Sequence, residues 1–147
     1  SPCCGRGTRL ACSPSIAMRL PGKTMQLHTA RIFVRDLAGA SRFYEEVLGL
    51  QLKADGREQG FCVFDAGPMS LVIERVEEDA PAEDRVLVGR FTGLSFDVAD
   101  IQSKYTELSS LGVDFSGLPE RQQWGGVLAT LRDPAGNEIQ LVQQPRG

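Results

Sequence analysis

The chain has 147 residues, of which 41% are apolar and 24% charged, and its formal net charge is −3. That length suits one domain or two tightly joined half-domains. No apolar run is long enough for a membrane-spanning helix, and the acidic balance disfavours nucleic acid as a partner.

Residues 1–24 differ in character from the rest of the chain. They contain four basic residues and no acidic ones, so they carry +4 and leave −7 on residues 25–147. Cys3, Cys4 and Cys12 lie here without the spacing of a metal site, and no apolar core of a signal peptide is present. We expect a non-domain leader (a tag, a mis-assigned start or a targeting remnant) before a domain over 25–147. Cys62, alone in an apolar stretch, is expected to be buried in a reduced, cytoplasmic protein.

The first half of the domain, module 1 over residues 25–79, has the pattern of a βαβββ unit. Alternating apolar residues predict a strand over 27–34, and Asp36 is placed to cap the helix that follows. Gly49 is expected to end this helix. Three further strands are predicted over 50–54, 60–66 and 69–76.

The second half, module 2 over residues 89–147, repeats this plan after the acidic linker 77–85. With an offset of 64 residues, Asp100 falls on Asp36, and the apolar alternation of the first strand recurs. Asp100 is therefore predicted to cap a second helix, which ends at Gly112. Strands are predicted over 93–98, 113–117, 126–132 and 138–143.

Each predicted sheet has four strands and one helix-covered face, which gives an α+β fold whose two sheets form a cup-shaped, eight-stranded open barrel. Strand alternation assigns the following residues to the helix side: Ala30, Ile32, Val34, Leu71, Ile73, Leu94, Phe96, Val98, Ile139 and Leu141. The opposite parity forms the open face: Thr29, Arg31, Phe33, Ser70, Val72, Glu74, Gly93, Ser95, Asp97, Gln140 and Val142. Polar side chains on an enclosed face are costly unless they bind a ligand or water, so the open face is the predicted binding site.

Two motifs connect the sequence to a known family. The stretch "DLxxxxxFYxxVLGL" and the later "WGGxxxxxRDPAGNEIQLV" resemble the vicinal oxygen chelate superfamily, which includes glyoxalase I, extradiol dioxygenases and bleomycin-binding proteins. The resemblance covers residues 25 to about 145. It implies the cup-shaped fold, a small-molecule ligand or substrate and, as in many relatives, a homodimer.

The resemblance also implies where a divalent metal ion (Zn, Fe, Mn or Ni) would bind. Metal-using members take ligands from the first and last strands of each half, and these positions hold Thr29, Glu74, Gly93 and Gln140. Glycine has no side chain and threonine is a weak ligand, so the set is incomplete. His28 would complete a His28, Glu74 and Gln140 site only if a one-residue bulge turned it towards the cup.

The predicted ligand-binding residues are Thr29, Arg31, Phe33, Glu74, Ser95, Trp124 and Gln140. Arg31 has two alternatives: it pairs with Glu74, or it binds an anionic group of a ligand. Trp124 is either a hydrophobic residue on the rim or a stacking platform.

Three functions remain open from the sequence. The first is a metal-free binding protein of the drug-sequestering or resistance type. The second is a metal-dependent lyase, isomerase or dioxygenase that uses Glu74 and Gln140. The third is a metal-free enzyme with Glu74 as the catalytic base and Arg31 as the group that stabilises an enolate.

Overall fold

The fold contains two β-sheets, one from each half of the internal repeat. The computed structural model describes residues 24–146, so the expected leader lies outside the described residues except for Thr24. The α+β class and the duplicated plan predicted from the sequence are confirmed, and the cup is open rather than closed into a barrel.

The first sheet belongs to module 1 and has the strand order β1-β4-β3-β2. Its strands are β1 (Thr29–Val34), β2 (Gln51–Gly56), β3 (Phe61–Asp65) and β4 (Ser70–Arg75). Strands β1 and β4 are parallel, and the other pairs are antiparallel. Helix α1 (Leu37–Arg42) runs on into a π turn over Phe43–Val47, and a 3₁₀ turn (Arg57–Gln59) joins β2 to β3. The linker contains one helical turn, α2 (Ala82–Arg85).

The second sheet has the order β5-β9-β8-β6, and a short extra strand also pairs with β8. Its elements are β5 (Phe91–Asp97), helix α3 (Ile101–Ser110), β6 (Asp114–Phe115), β7 (Glu120–Arg121), β8 (Val127–Arg132) and β9 (Glu138–Gln143). One continuous edge strand is predicted from the sequence, but β6 and β7 share that place as two pieces of two residues each. The described residues therefore form nine strands instead of eight.

Both helices begin as predicted. The Asp36 carboxylate accepts a hydrogen bond from the Gly39 backbone N–H, and Asp100 accepts one from the Ser103 N–H, both at 3.1 Å. The Ser103 N–H favours the ionised carboxylate and lowers the pKa of Asp100. Gly49 and Gly112 follow the two helices with positive φ angles of 78° and 90°, which glycine adopts at little cost.

The predicted helix-side residues form a single core shared by both modules. Six of the ten are buried, namely Ile32, Val34, Leu71, Ile73, Ile139 and Leu141. The other four are half-buried against this core. Cys62 is buried as predicted. Because helices and core residues lie on one side of each sheet, the opposite side of each sheet is left for ligand binding.

A buried polar cluster joins the two modules. Asn137, fully buried, donates from Nδ2 to the Phe33 carbonyl oxygen of β1 at 2.9 Å. Its Oδ1 accepts from the backbone N–H groups of Gly89 and Arg90, at 2.8 and 3.3 Å. Asn137 Nδ2 also donates to Asp133 Oδ2, at 3.0 Å. This single amide therefore connects β1, the residues just before β5 and the β8–β9 turn.

Tyr44, on the π turn, adds a second connection between the modules. Its hydroxyl donates to Asp133 Oδ2 at 2.7 Å. Burial, reinforced by the Asp133 carboxylate, raises the pKa of Tyr44 far above its usual range. The hydroxyl therefore keeps its proton and remains the donor throughout the pH range in which proteins are folded.

None of the helices within residues 24–146 is long and apolar enough to cross a membrane.

We expect Asn137→Ala to reduce the free energy of unfolding by about 3 kcal/mol or more. The substitution takes the partner from three backbone groups in part-buried contacts, namely the Phe33 carbonyl and the Gly89 and Arg90 N–H groups. Leaving each of them unpaired costs about 1 kcal/mol, the lower end of the range for buried groups. Tyr44→Phe should cost less, about 1–2 kcal/mol, because Asp133 keeps its other donors. Urea unfolding measures both effects. Exposed Gln123→Ala is the control, and an Asn137→Ala midpoint equal to that of the control would show that the cluster does not hold the modules together.

Candidate functional site

A cavity of about 360 Å³ lies on the open face of the first sheet, and we call it the first-sheet pocket. It is lined by Arg31, Phe33, Glu74, Arg75, Val76, Glu77, Ala80, Asp84 and Leu87. Strand β1 presents Arg31 and Phe33 two residues apart, and β4 pairs Glu74 with Phe33 in register. Strand alternation thus brings three of the predicted ligand-binding residues into one pocket.

Two charged side chains of this pocket, Arg31 and Glu74, pair with each other. Arg31 Nη1 donates to Glu74 Oε1 at 3.0 Å, and the side chains are 58% and 36% exposed. The Arg31 guanidinium also lies 5.5 Å from the centre of the Phe33 ring, a cation–π contact. Arg31 thus forms the ion pair with Glu74 that was one of its two alternatives. This pair leaves one carboxylate oxygen and four guanidinium N–H groups for other partners.

A larger cavity, of about 680 Å³, lies against the second sheet and is here called the second-sheet pocket. Its lining comprises Ser116, Gly117, Leu118, Pro119, Glu120, Gln122, Leu128, Ala129, Thr130 and Gln140. Gln140 Nε2 donates to Thr130 Oγ1 at 3.2 Å across the β8–β9 ladder. Gln140 therefore lines a pocket, but a different one from the pocket that contains Glu74.

The split edge strand forms the wall of the second-sheet pocket. Ser116 still bonds to the sheet, from its N–H to the Thr130 carbonyl oxygen at 2.9 Å, before the chain leaves it. The chain returns at Glu120, which pairs with Leu128. Leu118 and Pro119 lie between these points, and Leu118 is 72% exposed. In module 1 the corresponding edge strand, β2, stays in the sheet.

Three of the predicted ligand-binding residues line neither pocket. Thr29 lies at the exposed start of β1, Ser95 pairs with Gln140 in register on β5, and Trp124 lies on the β7–β8 turn. The Trp124 ring covers Gly126, where a Cβ would come within 2.0 Å of it, and the residue is 53% exposed. The aromatic ring is thus packed on its own turn.

The donor set implied for a metal ion is not assembled within one chain. Glu74 is bound by Arg31, and Gln140 lies in the second-sheet pocket. His28 is exposed, with Nδ1 at 2.6 Å from Thr29 Oγ1. The register of β1 runs from Thr29 to Val34 without a bulge, so nothing turns His28 towards Glu74. Among residues 24–146, no three His, Cys, Asp or Glu side chains are grouped as a metal site.

The backbone conformation at position 93 favours glycine. Its φ of +76° is a conformation that L side chains rarely adopt, and the register shifts between Phe91 and Ser95. A ligating side chain at this position would be strained. The residues present therefore do not fit the four-ligand site of the metal-using relatives.

Sequence reasoning missed the loop residues of the second-sheet pocket, Glu120 above all. The alternation in "GVLATLR" places Leu128 and Thr130 opposite the buried Ala129 and Leu131, and this signal could have been used. No periodicity marks residues 117–119, because they leave the sheet.

Comparisons with known proteins agree with this fold. Residues 26–141 match the family described as the Glyoxalase/Bleomycin resistance protein/Dioxygenase superfamily. The chain belongs to this superfamily, which confirms the resemblance seen in the sequence.

Individual relatives cover almost the same part of the chain. YurT of Bacillus subtilis (strain 168) is 33% identical over an alignment of 129 residues, and the match covers 82% of this chain and 100% of YurT. A solved superfamily member from Sphaerobacter thermophilus DSM 20745 is 26% identical, with a TM-score of 0.69 over 82% of this chain and 98% of its own. TnmS3, described as an antibiotic binding protein from Streptomyces sp. CB03234, is 26% identical, with a TM-score of 0.66 over 83% and 98%.

We expect the Arg31–Glu74 pair to affect binding much more than stability. The pair is substantially exposed, so Arg31→Ala and Glu74→Gln should each change the free energy of unfolding by less than about 1 kcal/mol. Anilinonaphthalene sulfonate, an anionic fluorescent probe, should bind several-fold more weakly to Arg31→Ala. It should bind more tightly to Glu74→Gln, because that change releases Arg31 from its partner.

Glu107→Gln is the matched control, since Glu107 forms a similar exposed pair with Lys104 on α3. Probe titration and urea unfolding are measured on all variants. Equal probe affinity in the three variants and the parent would give the pair a purely structural role.

Proposed function

We propose that the protein binds a small organic molecule on the open faces of its sheets, without a resident metal ion. The observation that carries the proposal is the Arg31–Glu74 contact of 3.0 Å, because Glu74 is the one charged donor of the implied metal set. An arginine beside that carboxylate opposes a metal cation by charge repulsion. Thr29, Gly93 and Gln140 supply no further charge.

The pockets support a binding role. Both linings contain polar and apolar side chains, so each pocket can contact both kinds of group on a small molecule. The description of TnmS3 as an antibiotic binding protein adds a relative whose ligand is a small organic molecule. Arg31 and Glu74 would orient the polar part of such a ligand, and Phe33 would contact its apolar part.

A metal-free enzyme is the second candidate, because Arg31 and Glu74 share one pocket. The Glu74 oxygen that is not bound to Arg31 would take a proton from carbon, and the guanidinium would stabilise the enolate formed. The two candidates use the same residues. They differ in whether the bound molecule is altered, which product analysis after incubation reveals.

The test of the metal-free proposal is elemental analysis of protein purified without chelator or affinity metal. We expect Zn, Fe, Mn and Ni each to be far below one ion per chain, and unchanged in Glu74→Gln. A stoichiometric transition metal that is lost in Glu74→Gln would overturn the proposal and favour the metal-dependent lyase, isomerase or dioxygenase.

We further propose that two copies associate so that the first sheet of one chain faces the second sheet of the other. Within one chain the two pockets share no lining residue. The second sheet also exposes large apolar residues on its open side, with Phe91 at 53% and Leu118 at 72%. In a twofold-symmetric dimer, the first sheet of each chain would cover the second sheet of the other. A first-sheet pocket and a second-sheet pocket would then meet at two places in the dimer.

Sedimentation equilibrium at micromolar concentration tests this assembly. We expect a species of twice the 16.0 kDa chain mass. Leu118→Glu should weaken it, since a carboxylate would be buried at the contact, whereas Leu111→Glu, at an exposed position after α3, serves as the control. A monomer in the parent protein would mean that each pocket works within one chain.

A further inference from the structure

The second-sheet pocket has one charged group in its lining, the Glu120 carboxylate. Cross-strand partners point to the same face, so the pairing of Glu120 with Leu128 directs this carboxylate to the open side. The other polar groups of the lining are neutral hydroxyl and amide groups. Leu118, Pro119 and Leu128 supply apolar surface next to it.

No side chain within residues 24–146 hydrogen-bonds to this carboxylate or forms an ion pair with it. The neighbouring Gln122 side chain donates to the Glu120 backbone carbonyl oxygen, at 3.0 Å. Arg121 extends elsewhere, with Nη1 at 3.4 Å from the Gly125 carbonyl oxygen. Arg132 is engaged with Asp114 and Glu138. Within residues 24–146, no Lys or Arg side chain therefore pairs with Glu120.

Glu120 differs in this respect from Glu74, whose charge is balanced by Arg31. A ligand that covers Glu120 with apolar atoms removes water from an unpaired carboxylate, which is unfavourable unless the ligand brings a donor or a positive charge. An ammonium group supplies both. The net charge of −7 on residues 25–147 adds a long-range attraction for cations.

We propose that Glu120 makes the second-sheet pocket selective for ligands that carry a positively charged amine beside an apolar body. The amine binds the Glu120 carboxylate, Leu118 and Leu128 contact the apolar part, and Thr130 and Gln140 hydrogen-bond to its polar atoms. This selectivity rests on the proposed small-molecule binding and specifies the chemical class of its ligand.

Three naphthalene probes of similar size separate charge from shape: naphthylmethylamine, naphthalenemethanol and naphthoate. Each is titrated into the isotopically labelled full chain, and the backbone amide signals of Leu128, Thr130 and Gln140 are followed by NMR. We expect the amine to bind about tenfold more tightly than the alcohol, and naphthoate to bind most weakly. The preference should decrease as salt is added.

Glu120→Gln is the critical variant, and Glu46→Gln is its matched control. Glu46 is an exposed glutamate of the π turn, outside both pockets, so the control makes the same change in net charge. The preference for the amine should disappear in Glu120→Gln and persist in Glu46→Gln, with the thermal midpoint unchanged in both. A preference that survives Glu120→Gln would overturn the proposal.

The outcomes also distinguish this proposal from the one it rests on. Binding of the three probes with equal affinity would overturn the selectivity and leave small-molecule binding intact. If no probe shifts the pocket signals at its solubility limit, small-molecule binding at this pocket is contradicted, and the selectivity with it.

Discussion

The arrangement of the two sheets depends on the buried side chain of Asn137. Its amide satisfies the Phe33 carbonyl on one module, and on the other module it satisfies the Gly89 and Arg90 N–H groups and contacts Asp133. Buried polar groups are costly when unpaired, so each contact fixes a position as well as contributing energy. Because Phe33 lies in the strand that presents Arg31, the same amide anchors the strand that forms the first-sheet pocket.

The sequence was sufficient for the features that follow from local periodicity. Alternation assigned Ile32 and Ile139 to the core and Arg31 and Glu74 to the open face, and the capping residues Asp36 and Asp100 were recognised from their positions. The rest depends on non-local contacts. Strict alternation cannot show that β5 shifts register around Gly93, or that the edge strand divides into β6 and β7. Because of these two departures, the repeat in the sequence is not enough to locate the second-sheet pocket.

The two modules therefore differ in their edge strands and in the charged residues of their pockets. In module 1 the edge strand is continuous and the pocket contains a charge-balanced pair, Arg31 and Glu74. In module 2 the edge strand is interrupted, and residues 117–119, which leave the sheet, line the pocket beside Glu120. A duplicated fold can keep its core alternation while its edge strands change, since edges carry few core contacts. The interruption costs little stability and creates a larger recess.

This asymmetry also determines which residue controls ligand charge if two copies bring the pockets together. Arg31 and Glu74 neutralise each other at 3.0 Å, so their summed field falls off quickly with distance. Lys53, also on the first sheet, donates to Ser70 Oγ at 2.9 Å within its own module. Glu120 contributes an unbalanced negative charge from the facing sheet. The lining of the smaller pocket contains two ion pairs, Arg31–Glu74 and Arg75–Glu77, together with Asp84. Glu120 of the larger pocket therefore adds a further negative charge to the combined site.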